Sequence, residues 1–177
     1  MKDKLRAALQ RSFDRLLRED GRLFDCEIEE HDRDNARKLH EVCINHRLAI
    51  YFQEEVVPSI TAGEKLFVDI EFNKEGANPK EVIIDGKKRP VRPDIIIHNR
   101  ETGDDKRNVL VIECKKEGTS KKKICEDRKK ILALMNNERY NYTFGLLVIY
   151  AKNRIRGTLF FKNGKNIATE LIDQTVA

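Results

Sequence analysis

The chain has 177 residues, of which 37% are charged and 40% hydrophobic, and its mean hydropathy is −0.62. That length suits one domain with a single core of sheet and a few helices, and no apolar run approaches the roughly 20 residues that a membrane-spanning helix needs. A net charge of +5 and a pI of about 9.0 favour polyanionic partners, nucleic acid first, although the same excess also describes a basic surface with no ligand.

The N-terminus, Met1-Lys2-Asp3-Lys4, runs into a charged segment without an apolar h-region. The expectation is a cytoplasmic protein without a secretory signal. Residues 2–19 read as an amphipathic helix, with Leu5, Leu9, Phe13, Leu16 and Leu17 at helical spacing and Gly21 suited to its end. This N-terminal accessory helix either closes the core or mediates a homodimer. A second helix is expected from Asp34 or Asn35 to Val57, stopped by Pro58.

From Leu66 the periodicity changes. Strands are expected over Leu66–Phe72, briefly over Glu81–Asp85 before Gly86, and over Asp94–His98 and Val109–Lys115. The polar stretch from Asn99 to Asp105 contains Gly103 and has turn composition, so the last two strands form a hairpin. A third helix follows over Lys121–Met135, then an apolar strand over Tyr142–Tyr150, a turn around Asn153–Gly157 and a last strand over Thr158–Lys162. This order predicts an α/β (α+β) domain spanning residues 1–177, with a mixed central sheet of about five strands flanked by helices. A helical crossover joining parallel strands in it should be right-handed.

Cys26, Cys43, Cys114 and Cys125 contain no C-x-x-C, and His31, His40, His46 and His98 complete no zinc spacing. Reduced core cysteines are the simplest expectation.

The chemistry concentrates in Arg92-Pro93-Asp94-Ile95-Ile96-Ile97 and Val109-Leu110-Val111-Ile112-Glu113-Cys114-Lys115. Side chains alternate along a strand, so Glu113 and Lys115 share a face begun by Val109 and Val111. Cys114 points away, with its carbonyl between them. In a hairpin the start of one strand lies beside the end of the other, so Asp94 approaches Glu113 and Lys115. Two converging carboxylates repel, so one is protonated or a cation sits between them. A hard ion such as Mg²⁺ could use Asp94, Glu113 and the Cys114 carbonyl. It would polarise a phosphoryl oxygen, while Lys115 stabilises developing charge or helps position and deprotonate a water. The bland alternative is ordinary charged residues at strand ends.

Two further signals lie on the helices. Glu41, Ile44, Leu48 and Phe52 form one helical stripe. A carboxylate there needs a partner, such as a metal or Lys115, unless it reaches water at the stripe's edge. Lys121, Lys122 and Lys123 crowd the first turn of the third helix against its dipole, where they suit phosphate binding or form a solvated basic patch. Asp127 and Lys130, three apart, read as an ordinary surface pair.

With these residues in view, the chain resembles the PD-(D/E)XK nuclease superfamily, whose fold is restriction-endonuclease-like. The match rests on Pro93-Asp94, on Glu113-Cys114-Lys115 and on the upstream helix acid Glu41. The order of elements after Glu41 agrees as well. The segment Glu41–Tyr51, the strand Phe67–Asn73 and the Asp127–Lys130 helix are similar to small bacterial members without assigned function. The resemblance covers residues 36–150 or so and leaves both ends unexplained. It implies metal binding by Asp94 and Glu113, catalysis by Lys115, and an accessory or orienting role for Glu41, with Glu71 a weaker candidate. The functional expectation is a Mg²⁺- or Mn²⁺-dependent nuclease hydrolysing phosphodiester bonds, in DNA first. The alternative is a catalytically silent module of the same fold that binds nucleic acid or a partner protein. No Gly-rich phosphate loop or G-x-S-x-G supports a different enzyme class.

Overall fold

A computed structural model describes residues 1–24, 41–61, 63–75 and 78–175. Helix α1 (Lys2–Glu19) turns Leu5, Ala8, Leu9, Phe13, Leu16 and Leu17 inward at helical spacing, so its apolar stripe lies within the larger of two core clusters. Helix α2 (Glu41–Tyr51) continues through a π turn, Phe52–Val56, into the short α3 (Val57–Ile60). The expected start of this helix before Glu41, with Cys26, His31 and His40, lies outside the described residues.

Pro58 does not stop the helix, contrary to the sequence reading. It sits in the first turn of α3, directly after the π turn. There its missing N–H forfeits little, because the widened turn has already broken the regular i→i−4 bonding. Gln53, within the π turn, accepts a hydrogen bond on Oε1 from the Val68 N–H (3.1 Å), tying the turn to the next strand.

That strand, β1 (Phe67–Ile70), is shorter than expected because Glu71 takes a positive φ of 50°. The Glu71 N–H donates to the Asp94 carbonyl (2.9 Å), anchoring the backbone of a predicted site residue. A small hairpin, β2 (Lys74–Glu75) with β3 (Asn78–Pro79), precedes a larger one, β4 (Glu81–Ile84) with β5 (Lys87–Pro90). The second turns at Asp85 and Gly86, both at positive φ, as a two-residue hairpin loop requires.

The main sheet adds β6 (Ile95–His98), β7 (Asn108–Lys116), β8 (Phe144–Ala151), β9 (Arg154–Asn163) and β10 (Asn166–Thr175), in the order β1-β6-β7-β8-β9-β10. It has six strands. The strand expected to end at Lys162 runs to Asn163, and β10 beyond it is not expected from the sequence, because its apolar residues, Ile167-Ala168 and Leu171-Ile172, fall in adjacent pairs instead of alternating. The antiparallel hairpin of β6 and β7 is present, with Ile95 opposite Ile112. A register shift at Ile97/His98 leaves Val109 packed with Leu110 in the larger cluster. The expectation that Val109 shares a face with Val111 and Glu113 is therefore corrected: a bulge breaks the alternation. Helix α4 (Lys121–Asn136) joins β7 to β8, which pair in parallel.

Helices α1 to α3 cover one face of the sheet, and α4 with the β4–β5 hairpin covers the other. Gly145 lets α4 approach β8, since a Cβ there would lie 2.2 Å from Ile131 Cγ2. Of the described cysteines, Cys114 is buried as expected, while Cys43 and Cys125 are exposed on helices and are not core residues. Among the described residues no helix is long and apolar enough to cross a membrane.

Candidate active site

The end of β7 and the approach to β6 meet at one end of the sheet. Pro93 is buried, and its ring disfavours a helical conformation at Arg92. Asp94 follows, and its Oδ2 accepts the Cys114 N–H at 2.7 Å, closing the open end of the hairpin with a carboxylate. This is the adjacency that the hairpin predicts.

Glu113 faces α4 and is 0% exposed. Its Oε2 lies 2.6 Å from the Lys130 ammonium, while Oε1 has no hydrogen-bond partner among the described residues. Burial pushes the Glu113 carboxyl well above its ordinary value. The Lys130 charge pulls the other way, and nearby Asp94 adds to the rise.

Lys115 donates from Nζ to the Cys114 carbonyl (2.8 Å). The same amine lies 3.4 Å from Asp127, 3.7 Å from Asp94 and 4.0 Å from Glu41. Burial alone would lower its pKa, but the surrounding carboxylates outweigh burial and hold it above the ordinary value. Lys115 is thus an ammonium at neutral pH.

Glu41 stands at the described start of α2, on the stripe completed by buried Ile44, Leu48 and Phe52. Its Oε1 accepts the Lys116 N–H (3.3 Å) while Oε2 faces Lys115. The predicted partnership with Lys115 is present. The Cys114 thiol is fully buried beneath the site, 3.3 Å from the Tyr150 hydroxyl, which donates to Asn45 Oδ1 at 2.9 Å. Burial pushes that thiol well up, so it stays protonated and can contribute to the site only through its carbonyl.

Asp127 and Lys130 are not an ordinary surface pair. They cross the site in opposite senses: Lys130 pairs with Glu113, Asp127 reaches Lys115, and the two approach each other at 3.6 Å. The signal was present in the sequence, since both fall on the helical face carrying Ile131, Leu134 and Met135, which are buried. Lys121, Lys122 and Lys123 lie exposed in the first turn of α4 and outside this cluster, with Ser120 Oγ capping the turn by accepting the Lys123 N–H (3.4 Å). Glu71 pairs instead with Arg92 (3.6 Å).

Among the described residues the cluster therefore holds four carboxyl groups, Glu41, Asp94, Glu113 and Asp127, against two ammoniums, Lys115 and Lys130. When all are ionised, two negative charges remain uncompensated, which a divalent cation would match. The available donors are hard oxygens, and Glu113 Oε1 is buried without a partner among the described residues. Among the described residues, however, no three acidic, histidine or cysteine side chains already converge as a metal cage. The donor chemistry fits a hard cation, while Lys115 and Lys130 occupy the polar atoms nearest to it.

Comparison with models of known families, with curated proteins and with solved structures returned no match.

Proposed function

We propose that this protein is a metal-dependent phosphodiesterase of the PD-(D/E)XK type acting on nucleic acid, with DNA as the first substrate to test. The observation that carries this reading is the meeting of Asp94, Glu113, Lys115 and Glu41 at one sheet end, with a buried Glu113 oxygen left unpartnered among the described residues. Asp94, Glu113 and the Cys114 carbonyl would hold Mg²⁺ or Mn²⁺, which supplies Lewis acidity toward a phosphoryl oxygen.

The chain's own groups divide the remaining work. Lys115, held protonated by its carboxylate neighbours, stabilises charge developing on the phosphoryl oxygens. That protonation favours electrostatic stabilisation over proton abstraction as its role. Glu41 orients Lys115 while fixing the strand end through the Lys116 N–H. Asp127 supports the same amine from α4. Lys121, Lys122 and Lys123 attract the flanking phosphates at the helix start. DNA is the expected substrate and the cytoplasm the expected location, and a homodimer would supply the two sites that a duplex cut uses most readily.

Two observations favour a second reading, a silent module of the same fold that binds nucleic acid or a partner protein. Lys130 already neutralises Glu113, and Lys115 already occupies the Cys114 carbonyl. Cleavage assays on single-stranded, duplex and branched DNA and on RNA with Mg²⁺ or Mn²⁺, alongside calorimetric metal titration, separate the two. The nuclease reading expects metal-dependent cutting, lowered about 10²–10³-fold by Lys115→Ala. It also expects metal uptake that Asp94→Asn abolishes. A wild-type chain that cuts nothing and takes up no divalent ion, even with DNA present, leaves the silent module.

A further inference from the structure

Beside the cluster a groove of about 530 Å³ opens between the β4–β5 hairpin and α4. The Lys129 ammonium bridges both carboxylate oxygens of Asp85 (2.7 and 2.8 Å) across from the hairpin tip. Asp127 and Lys130 line the groove and also belong to the acid–lysine cluster, so the groove opens onto the candidate active site. Its apolar lining comes from Ile84, Pro90 and Val91.

The hairpin wall is basic. Lys87, Lys88, Arg89 and Arg92 are exposed; Lys88 pairs with Glu81 and Arg92 with Glu71, while Asp85 at the hairpin turn is taken by Lys129, so Arg89 in the groove lining and Lys87 beside it are the hairpin's cations for a guest. Cross-strand partners share a face. Arg89 opposes buried Val82 and Lys87 opposes half-buried Ile84, so both stand on the side of the hairpin that meets α4. The opposite wall carries Lys122, Cys125, Glu126 and Lys129, which fall at helical spacing on one face.

We infer that this groove seats a single-stranded polynucleotide segment leading to the candidate active site, its phosphates on Arg89, Lys87 and Lys122 and a base against Ile84, Pro90 and Val91. The inference rests on the nucleic-acid reading above and adds the path of the strand. The lining carries Arg89, Lys122, Lys129 and Lys130 against Asp85, Glu126 and Asp127, and with Lys87 on the same hairpin face this excess of cations favours a polyphosphate over an uncharged guest. The volume lies within the range that encloses a nucleotide-sized molecule and is far below that of a duplex. Apolar contact beneath a basic rim gives binding without sequence preference, as other single-strand grooves do.

Cys125 provides a probe that does not depend on cleavage, because its thiol is exposed and lines the groove. The full chain carrying Cys26→Ser and Cys43→Ser is treated with a maleimide in EDTA, with and without a short single-stranded oligonucleotide. At an oligonucleotide concentration about ten times the apparent Kd, modification of Cys125 slows about tenfold by mass action. Lys87→Ala with Arg89→Ala weakens binding and lowers the slope of log K against log salt by about 1.4, or about 0.7 per lost contact. Both residues are exposed, so these variants keep the fold.

Oligonucleotide binding measured by fluorescence anisotropy, with Cys125 still fully reactive, overturns the inference. So does the absence of binding, or equal protection by an oligoglutamate of matched charge, which would assign the groove to acidic peptides. Protection in a chain that cuts nothing with Mg²⁺ or Mn²⁺ keeps the groove and discards the nuclease. Cleavage without protection does the reverse.

Discussion

Replacing Gly145 by alanine tests the spacing that brings α4 to the site. The new Cβ would lie 2.2 Å from Ile131 Cγ2, 2.9 Å from Met135 Sδ and 3.5 Å from Phe160 Cβ. Carbon contacts settle at about 3.5–4.0 Å, so Ile131 must retreat by more than an ångström or the helix must lift. Overpacking of this kind costs about 1–3 kcal/mol. Removing a strand glycine recovers about 0.5–1 kcal/mol of backbone entropy. With the closest contact on a β-branched side chain, the upper part of the overpacking range applies, leaving a net loss of about 2 kcal/mol. For a chain of this length that lowers Tm by about 4–8 °C.

The cause can be isolated by a second substitution. Ile131→Leu removes Cγ2 while nearly conserving volume and should cost under about 1.5 kcal/mol alone. Combined with Gly145→Ala, it should recover about 1 kcal/mol as a coupling energy. Urea unfolding of the four chains, with the m-value unchanged, measures the cycle. A Gly145→Ala chain as stable as wild type, or a double variant whose losses simply add, would refute the view that this contact sets the strand–helix distance. Because α4 carries Asp127 and Lys130, the same lift separates Lys130 from Glu113 and Asp127 from Lys115.

Lys130→Met removes the cation 2.6 Å from fully buried Glu113 and should destabilise the fold by about 3 kcal/mol in urea. Adding Glu113→Gln should recover most of that loss, and failure to recover it would mean that the pair is not an energetic unit. At His98, burial lowers the imidazole pKa below its ordinary 6.5, despite the Asp69 carboxylate 2.8 Å away. The unfolded chain then takes up the proton first, so this contribution to stability is complete above about pH 6.5 and is lost as pH falls through the folded value. Unfolding midpoints between about pH 7.5 and pH 5 should therefore fall more steeply for wild type than for His98→Gln, and parallel slopes would count against it.

Periodicity and spacing carried much of this structure. The α1 stripe, the β6–β7 hairpin and the two-residue step from Glu113 to Lys115 are local patterns, and each dictates its geometry through the helical or strand repeat. Asp94 meeting the end of β7 follows from hairpin adjacency alone, as does Glu41 facing inward from its stripe.

What the chain order could not specify are distances between separate elements. Lys130 on Glu113 and Asp127 on Lys115 arise because α4 settles on β7 and β8 at a separation set by Gly145 and Ile131. The π turn that admits Pro58 and the strand β10 both pack on α1, far along the chain, whereas the Val109 bulge is set by the register of the β6–β7 hairpin. Local propensity determines which elements form. Close packing between them decides which charges meet, because a shift of about one ångström separates an ion pair from a solvated one.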